Sequence, residues 1–581
     1  MPRPTHAPRR TAAQRGRAAA RRRPAVAREP LWVALLLLLH AALAVWGAAR
    51  HSVTFDENFH LPSGVLIAAR GELRVSAVNP PLVKAAAGWA ALAAGARLPS
   101  DAALADGEQG VVGESFMRRN ADRYHRVFFA GRLVVVLCSL LLALVVWRFA
   151  RDLHGGAAGL VALGLYALAP EALAHAGFVT LDVPTALGWT AALWTFRRFA
   201  VSGRWGWWAA AAAAVAFAFL TRFTAVFLPP VLALLALWTW RRGRARRPLR
   251  LALGFALLGV TTLAALHAGY LGRTSFEPIG AWRFESEAFR ALQARFPGLR
   301  LPLPDTYVAG FDRQAVESQP GRTPSFALGR LWREAPWFYF PLALLVKWPL
   351  GFLGALGARA ALGARRAARG ARPRALRDAW ALVPALALLA MAVFVGRLGI
   401  GIRYLFPLLP LLAVWAGGLA GRGWRGGAAR RWALAAFALV ALQGAESAAR
   451  APWWLSFYNV AAGGPWRGQW IVNDSNVDWG QGLIALRDEM RRRGIARVHL
   501  AYHGTTDPAV YGIDSVPFTG GLPGPESDWL AVSSYYWVGL SQRMMTAAGR
   551  TERPIRFDFS PLRHVVPTAT PAGCMLLIRL R

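Results

Sequence analysis

Residues 31–60 read LWVALLLLLHAALAVWGAARHSVTFDENFH, and this stretch decides how the rest of the chain is understood. From Leu31 to Ala49 the side chains are almost all apolar. That is long enough for a helix rising 1.5 Å per residue to cross a hydrocarbon core of ~30 Å. Shortly after the apolar run ends come two adjacent carboxylates, Asp56 and Glu57, in the string Thr54-Phe55-Asp56-Glu57-Asn58-Phe59-His60. A membrane helix that delivers paired acids to the water boundary is the pattern to be explained.

Apolar runs of similar length recur along the chain. Taken as spans they fall near 31–49, 127–147, 157–174, 182–196, 205–221, 223–240, 250–271, 338–357, 380–396, 403–421 and 432–449, about eleven in all. The chain is 55% hydrophobic with a mean hydropathy of +0.31, but the distribution carries the argument, since soluble proteins are also near half apolar. The expected fold is an all-α polytopic membrane protein.

The formal net charge is +37, from 68 Lys+Arg against 31 Asp+Glu. On a soluble chain this would suggest nucleic acid. Here the basic clusters Arg21-Arg22-Arg23, Arg197-Arg198, Arg241-Arg242, Arg365-Arg366 and Arg430-Arg431 sit in alternate loops. That is the cytoplasmic bias of the positive-inside rule, so no nucleic acid is expected. It predicts a plasma membrane protein of bacterial type with its N-terminus in the cytoplasm. Residues 1–30, rich in Arg, Ala and Pro, read as a disordered basic cytoplasmic tail. The run that follows is longer than a signal-peptide core and lacks a clear cleavage site, so it reads as a retained helix. Cys138 lies inside an apolar span and Cys574 outside the membrane near the C-terminus, so they offer neither a disulfide framework nor a thiolate metal site.

This orientation makes 31–450 a transmembrane domain with outer loops 50–126 and 272–337. Residues 451–581, where Asp, Asn, Ser and Gly return and β-type runs appear at Arg497–Tyr502 and Met575–Arg581, become a small extracytoplasmic α/β domain. No fixed-period repeat and no paired broken helices mark an inverted-repeat transporter.

On composition alone, Asp56 and Glu57 fit a hydrated loop start. Burial of two neighbouring acids would raise at least one pKa toward the range of a general base. The loop continues through Asn79-Pro80-Pro81-Leu82-Val83-Lys84 into a short apolar helix of about 85–98 that lies along the interface.

The Asp-Glu pair just past the first span, followed by Asn-Pro-Pro-Leu-x-Lys, resembles the polytopic GT-C glycosyltransferases. Within them it resembles the protein O-mannosyltransferases and the lipid A aminoarabinose transferases, which depend on phospholipid-type carriers. Leu181-Asp182-Val183-Pro184, Tyr339-Phe340-Pro341 with Lys347-Trp348-Pro349, and Gly401-Ile402-Arg403-Tyr404 with Pro407 and Pro410 extend the likeness across most of 31–421. The resemblance implies a GT-C-like membrane fold and an inverting transfer of a sugar from a polyprenyl-phosphate carrier to an acceptor hydroxyl. The acceptor would be a protein, lipid or glycan at the outer face. It makes Asp56 the base, with Glu57 binding or orienting donor or acceptor, and Asp182, His60 and Asn79 candidates for sugar or acceptor contact.

A departing lipid phosphate needs fixed positive charge. Lys84, Arg132, Lys347 and Arg403, with Tyr404, are the candidates. Arg132 and Lys347 lie inside apolar spans, where a charge is costly and functional by default. Lys84 fits equally well a side chain that snorkels to the interface. Asp182 also fits a first-turn helix acid, and His60 a structural histidine. Carboxylates beside phosphate suit Mg²⁺ or Mn²⁺, but no ligand cluster fixes a metal. The tail segment Asn473-Asp474-Ser475-Asn476-Val477-Asp478-Trp479-Gly480-Gln481 lacks the glycine and the final glutamate of a calcium loop. It fits acceptor binding or, better, a packing lid over the first outer loop.

The competing function is a transporter or flippase for a lipid-linked sugar, for which Lys347 in mid-span is the supporting feature. The topology predicts that a single cysteine introduced into 358–379 reacts with a membrane-impermeant maleimide only from the cytoplasmic side. Labelling from outside would reverse the whole arrangement.

Overall fold

A computed structural model of the protein describes residues 28–580 apart from 246, 320–322, 370–374, 397, 422–426, 519, 521–522, 542–558, 560–561 and 563–564. The basic tail expected over 1–30 therefore lies, up to residue 27, outside the described residues. Its last residues already belong to the first helix, Glu29–Arg50, whose Pro30 sits in the first turn where a missing N–H costs no hydrogen bond.

The described chain is mostly helical, and each predicted span contains helix. Five helices are long and apolar enough to cross a membrane alone: Glu29–Arg50, Tyr124–His154, Phe223–Arg241, Pro248–Gly269 and Arg377–Gly396. Two more stretches are bent pairs, Gly156–Ala167 with Pro170–Ala176 at 61° and Tyr339–Lys347 with Leu350–Ala368 at 113°, giving up to seven. These bends depart from the expectation of continuous spans at 157–174 and 338–357. The cause of the second is local: Pro349 forces Trp348 out of the helical region, to φ −85° and ψ 141°. Trp205–Phe219 and Leu408–Ala420 are shorter apolar helices. The apolar helices make this an integral membrane protein.

Two further helices position the acidic loop. Glu57–Arg70 crosses Leu82–Ala93, the helix expected at about 85–98, and the crossing point is glycine against backbone. A Cβ on Gly64 would lie 2.0 Å from the carbonyl oxygen of Lys84, and one on Gly88 would lie 2.1 Å from that of Gly64. Only hydrogen side chains allow that approach.

Sheet structure is confined to small units. β1 (Ser325–Ala327) and β2 (Arg330–Trp332) form an antiparallel hairpin in the loop after the Pro248–Gly269 helix. β3 (Arg497–Ala501), β4 (Asp514–Pro517), β5 (Trp529–Ser533) and β6 (Met575–Arg579) form a four-stranded sheet in the order β4-β3-β5-β6. β3 runs parallel to β4 and β5, and β5 pairs antiparallel with β6. The helix Leu483–Arg493 precedes β3. β1 also touches the tail, through a bridge between Ala327 and Val472.

The crossing predicts that Gly64→Ala destabilises the protein by about 1–3 kcal/mol, because the added methyl meets backbone that cannot move aside. Gly206→Ala, where nothing lies within 4 Å, should leave the thermal unfolding midpoint in detergent unchanged.

Candidate active site

Glu57 lies at the centre of a buried clamp. Its carboxylate and the Arg132 guanidinium are both completely shielded from solvent. Arg132 donates from Nε to Oε1 at 2.8 Å and from Nη2 to Oε2 at 2.7 Å, a bidentate pair. The remaining lone pairs of Glu57 accept from the Val179 N–H at 2.8 Å, the Thr54 N–H at 2.9 Å and Thr54 Oγ1 at 3.1 Å. Glu57 thus reaches back three residues to Thr54 across the turn that precedes its helix. Arg132 spends its other protons on the carbonyls of Ala48 (2.7 Å), His51 (2.8 Å) and Ser52 (3.0 Å), the last turn of the first helix and its exit. The clamp ties three chain segments together and leaves neither partner a free hydrogen-bonding direction.

Asp56 stands differently. Its side chain keeps 24% of its exposure, against 0% for Glu57, so it is the member of the pair that solvent or substrate reaches. Its backbone carbonyl opens the Glu57–Arg70 helix by accepting from Phe59 and His60. Arg403 Nη1 donates to Asp56 Oδ2 at 2.8 Å and lies 3.9 Å from Asp182 Oδ2. Arg222 Nη1 donates to the other Asp182 oxygen at 2.5 Å. Both guanidiniums sit 5.1 Å from the centre of the Tyr404 ring. Asp56, Asp182, Arg403 and Tyr404 are thus brought together as one cluster. Asp182 Oδ2 accepts no hydrogen bond and lies 3.9 Å from His175 Nδ1. Behind it, His175 Nε2 approaches Glu171 at 3.4 Å.

The side chains of the other predicted residues make no hydrogen bond or ion pair with Asp56 among the described residues. Lys84 is buried and donates from Nζ to the Ser76 carbonyl at 2.8 Å, and burial pulls its pKa down to about 7. Asn79 is half-buried in the turn leading to that helix. The His60 ring meets the Val179 carbonyl at 3.1 Å, and burial lowers its pKa. Lys347 donates to the carbonyls of Leu455 and Asn476, lies 3.5 Å from Glu171, and sits 4.6 Å from the centre of the Tyr458 ring. It joins the membrane part to the tail segment and makes no contact with Asp56.

The tail completes the mouth of the site. Ser475 Oγ accepts from Arg403 Nε at 3.1 Å, and Trp479 places its ring 4.0 Å from the Arg403 guanidinium carbon. A Cβ on Gly401 would lie 2.3 Å from Ser475 Oγ, so glycine there admits the segment. Asn476 accepts from the Ile402 N–H at 3.0 Å and donates to Tyr339 Oη at 2.9 Å. Trp479 and Gln481 accept from the N–H groups of Phe55 and Ser52. Asp474 and Asp478 are buried in this segment, and burial pushes both carboxyls up to about 7.

Arg222, Glu171 and His175 are the cluster members that the sequence did not single out, while Ser475 and Trp479 belong to the tail segment that it read as packing over the first outer loop. The signal for Arg222 was present: a lone arginine in the break between two apolar runs. Among the described residues no group of three His, Cys, Asp or Glu side chains converges on a metal position. At the mouth, Asp56 and Asp182 face guanidiniums instead.

Residues 124–265 match the dolichyl-phosphate-mannose-protein mannosyltransferase family. The likeness is to glycosyltransferases. The matched stretch contains Arg132, Asp182 and Arg222, and it agrees with the resemblance carried by the motifs on either side. No curated protein matches by sequence. Among solved structures, the chain is similar to ArnT from Cupriavidus metallidurans bound to undecaprenyl phosphate, with 19% identity, a TM-score of 0.43, and 83% of this chain and 74% of that one covered. It is also similar to the S. cerevisiae protein O-mannosyltransferase complex bound to the sugar donor, with 14% identity, a TM-score of 0.33, and coverage of 52% and 39%. A third likeness is to the oligosaccharyltransferase AglB from Archaeoglobus fulgidus in complex with an inhibitory peptide and a dolichol-phosphate, with 12% identity, a TM-score of 0.41, and coverage of 90% and 74%.

Breaking the clamp from one side strands a buried charge. Arg132→Met should cost about 3–5 kcal/mol of stability, and adding Glu57→Leu should restore part of it. Thermal unfolding of the two variants measures the difference; equal losses would mean that the pair is not electrostatically coupled.

Proposed function

We propose that the chain is an inverting glycosyltransferase that moves a sugar from a polyprenyl-phosphate carrier to an acceptor hydroxyl at the outer face of the membrane. The observation that carries this reading is the pairing of the accessible Asp56 carboxylate with Arg403, at the end of a helical bundle, with Asp182 and Arg222 behind it. The family match over 124–265 supports the reaction class.

In this reading Asp56 takes the proton of the acceptor hydroxyl. The acceptor oxygen attacks the anomeric carbon from the face opposite the carrier. The bond between that carbon and the phosphate oxygen breaks, and the electron pair leaves on the lipid phosphate. Arg403 is the residue suited to meet it: a guanidinium that holds Asp56 through one nitrogen can turn to a bidentate phosphate contact, which frees the Asp56 oxygen for the acceptor. Arg222 and Tyr404 frame the same position.

Glu57 is then a positioning residue. Its oxygens are filled by Arg132, Thr54 and Val179, so it holds the loop that presents Asp56. Arg132 belongs to the same frame, and Lys347 anchors the tail. That arrangement favours the enzyme over a transporter, because Lys347, the ionisable group in mid-span, is occupied by two backbone carbonyls and Glu171. Eleven crossings, with 451–581 as an extracytoplasmic domain, complete the proposed topology.

Asp56→Asn should abolish transfer from a polyprenyl-phosphate sugar in reconstituted membranes, by about 10²–10⁴-fold or more, with the thermal unfolding midpoint retained. Turnover at the parent rate would remove Asp56 as the base.

A further inference from the structure

A second charged concavity lies beside the acidic loop, reached through Tyr511 at Val53 and Tyr124 at Asn58. It has a volume of about 650 Å³ and is formed where the end of the first helix, the start of the Tyr124–His154 helix and the Leu483–Arg493 helix meet. Four arginines line it: Arg50, Arg123, Arg126 and Arg487. Asp122 is the acid in the wall, and it pairs with Arg123 at 2.7 Å. Arg50 and Arg487 share Asp488, at 3.2 and 2.7 Å. Arg126 is exposed and makes no ion pair among the described residues. His125 turns Nε2 to the Ala49 carbonyl at 3.1 Å, while its Nδ1 is buried without a hydrogen-bond partner. The cavity therefore holds more guanidinium charge than its carboxylates balance.

Its place in the fold selects the kind of anion. Both helices whose ends form it are long and apolar enough to span a membrane, so the cavity sits at the level where lipid headgroups lie. Below Arg126, on the same helical face at spacings of seven, four and four residues, Leu133, Leu137 and Leu141 are exposed. A ligand with a charged head in the cavity has an apolar track for its chain. A free inorganic anion would use the arginines and leave the leucines bare. The floor of the cavity is made by Tyr124 and Tyr511. Tyr124 donates to Asn58 Oδ1 at 3.1 Å, and Tyr511 Oη accepts from the Val53 N–H at 3.1 Å. An occupant would therefore rest on the two residues that brace the loop carrying Asp56 and Glu57.

We propose that this arginine-lined cavity binds the phosphate headgroup of an anionic membrane lipid, with the acyl chain lying along Leu133, Leu137 and Leu141. The site is separate from the Asp56 cluster and does not depend on glycosyl transfer.

The test uses the full chain purified in detergent, with phosphatidylglycerol, phosphatidylcholine and inorganic phosphate as probes, and bound lipid counted by native mass spectrometry. The parent protein should retain phosphatidylglycerol over phosphatidylcholine. The double variant Arg50→Gln, Arg126→Gln should lose about tenfold of that preference. Arg70→Gln, a basic residue elsewhere in the outer loop, should lose none. Leu137→Gln should weaken retention of the lipid while its unfolding midpoint stays at the parent value. An unchanged preference in the double variant overturns the proposal. Displacement of the lipid by millimolar inorganic phosphate would make this a soluble-anion site and overturn the lipid assignment.

Discussion

The Glu57–Arg132 pair is the interaction on which the rest of the molecule depends. Two full charges without solvent are tolerable only where each is matched and every remaining donor and acceptor is used. Here Arg132 fastens the exit of the first helix while Glu57 fastens the start of the next helix and the turn at Val179. The backbone of residues 51–57 is consequently fixed from both ends. Asp56, one residue away, inherits that rigidity without sharing the burial. A flexible loop would leave its carboxylate averaging over many directions, whereas a clamped loop aims it at Arg403.

Around the clamp the protein uses glycine and proline for shape and charge for orientation. Gly64 and Gly88 let two helices touch backbone to backbone, which fixes the angle at which the acidic loop leaves its helix. Pro349 bends the Tyr339–Lys347 segment away from its successor, and this brings Tyr339 and Lys347 to the tail segment. Membrane proteins pay for ionisable groups in apolar surroundings, so each such group must find a partner. Asp182 with Arg222 and Lys347 with Glu171 follow that rule.

The sequence made the helices legible because a membrane writes its thickness into the length of apolar runs. It did not show the bends, since hydropathy is blind to direction, although Pro170 and Pro349 marked where they fall. Asp56, Asp182, Arg403 and Tyr404 stood out as chemistry-bearing residues, and they converge in space. What could not be read was which charge neutralises which. The partner of Glu57 lies on a distant helix, and Lys347 is held by carbonyls that carry no side-chain signature. A carbonyl is present at every residue, so its role emerges only when the chain has closed.

The tail segment from Asn473 to Gln481 has a consequence for how the protein comes into being. Residues near positions 56, 182, 222 and 403 leave the ribosome long before residue 475, yet Arg403 is steadied by Ser475 and Trp479, and Phe55 bonds to the backbone of Trp479. During synthesis the helices enter the bilayer with the acidic loop still uncovered. The centre acquires its final shape only when nearly the whole polypeptide has emerged and its last part has folded back. A partly made chain therefore lacks both the contacts that steady Arg403 and the backbone that covers Ser52 and Phe55, and the order of translation makes this the last part of the centre to form.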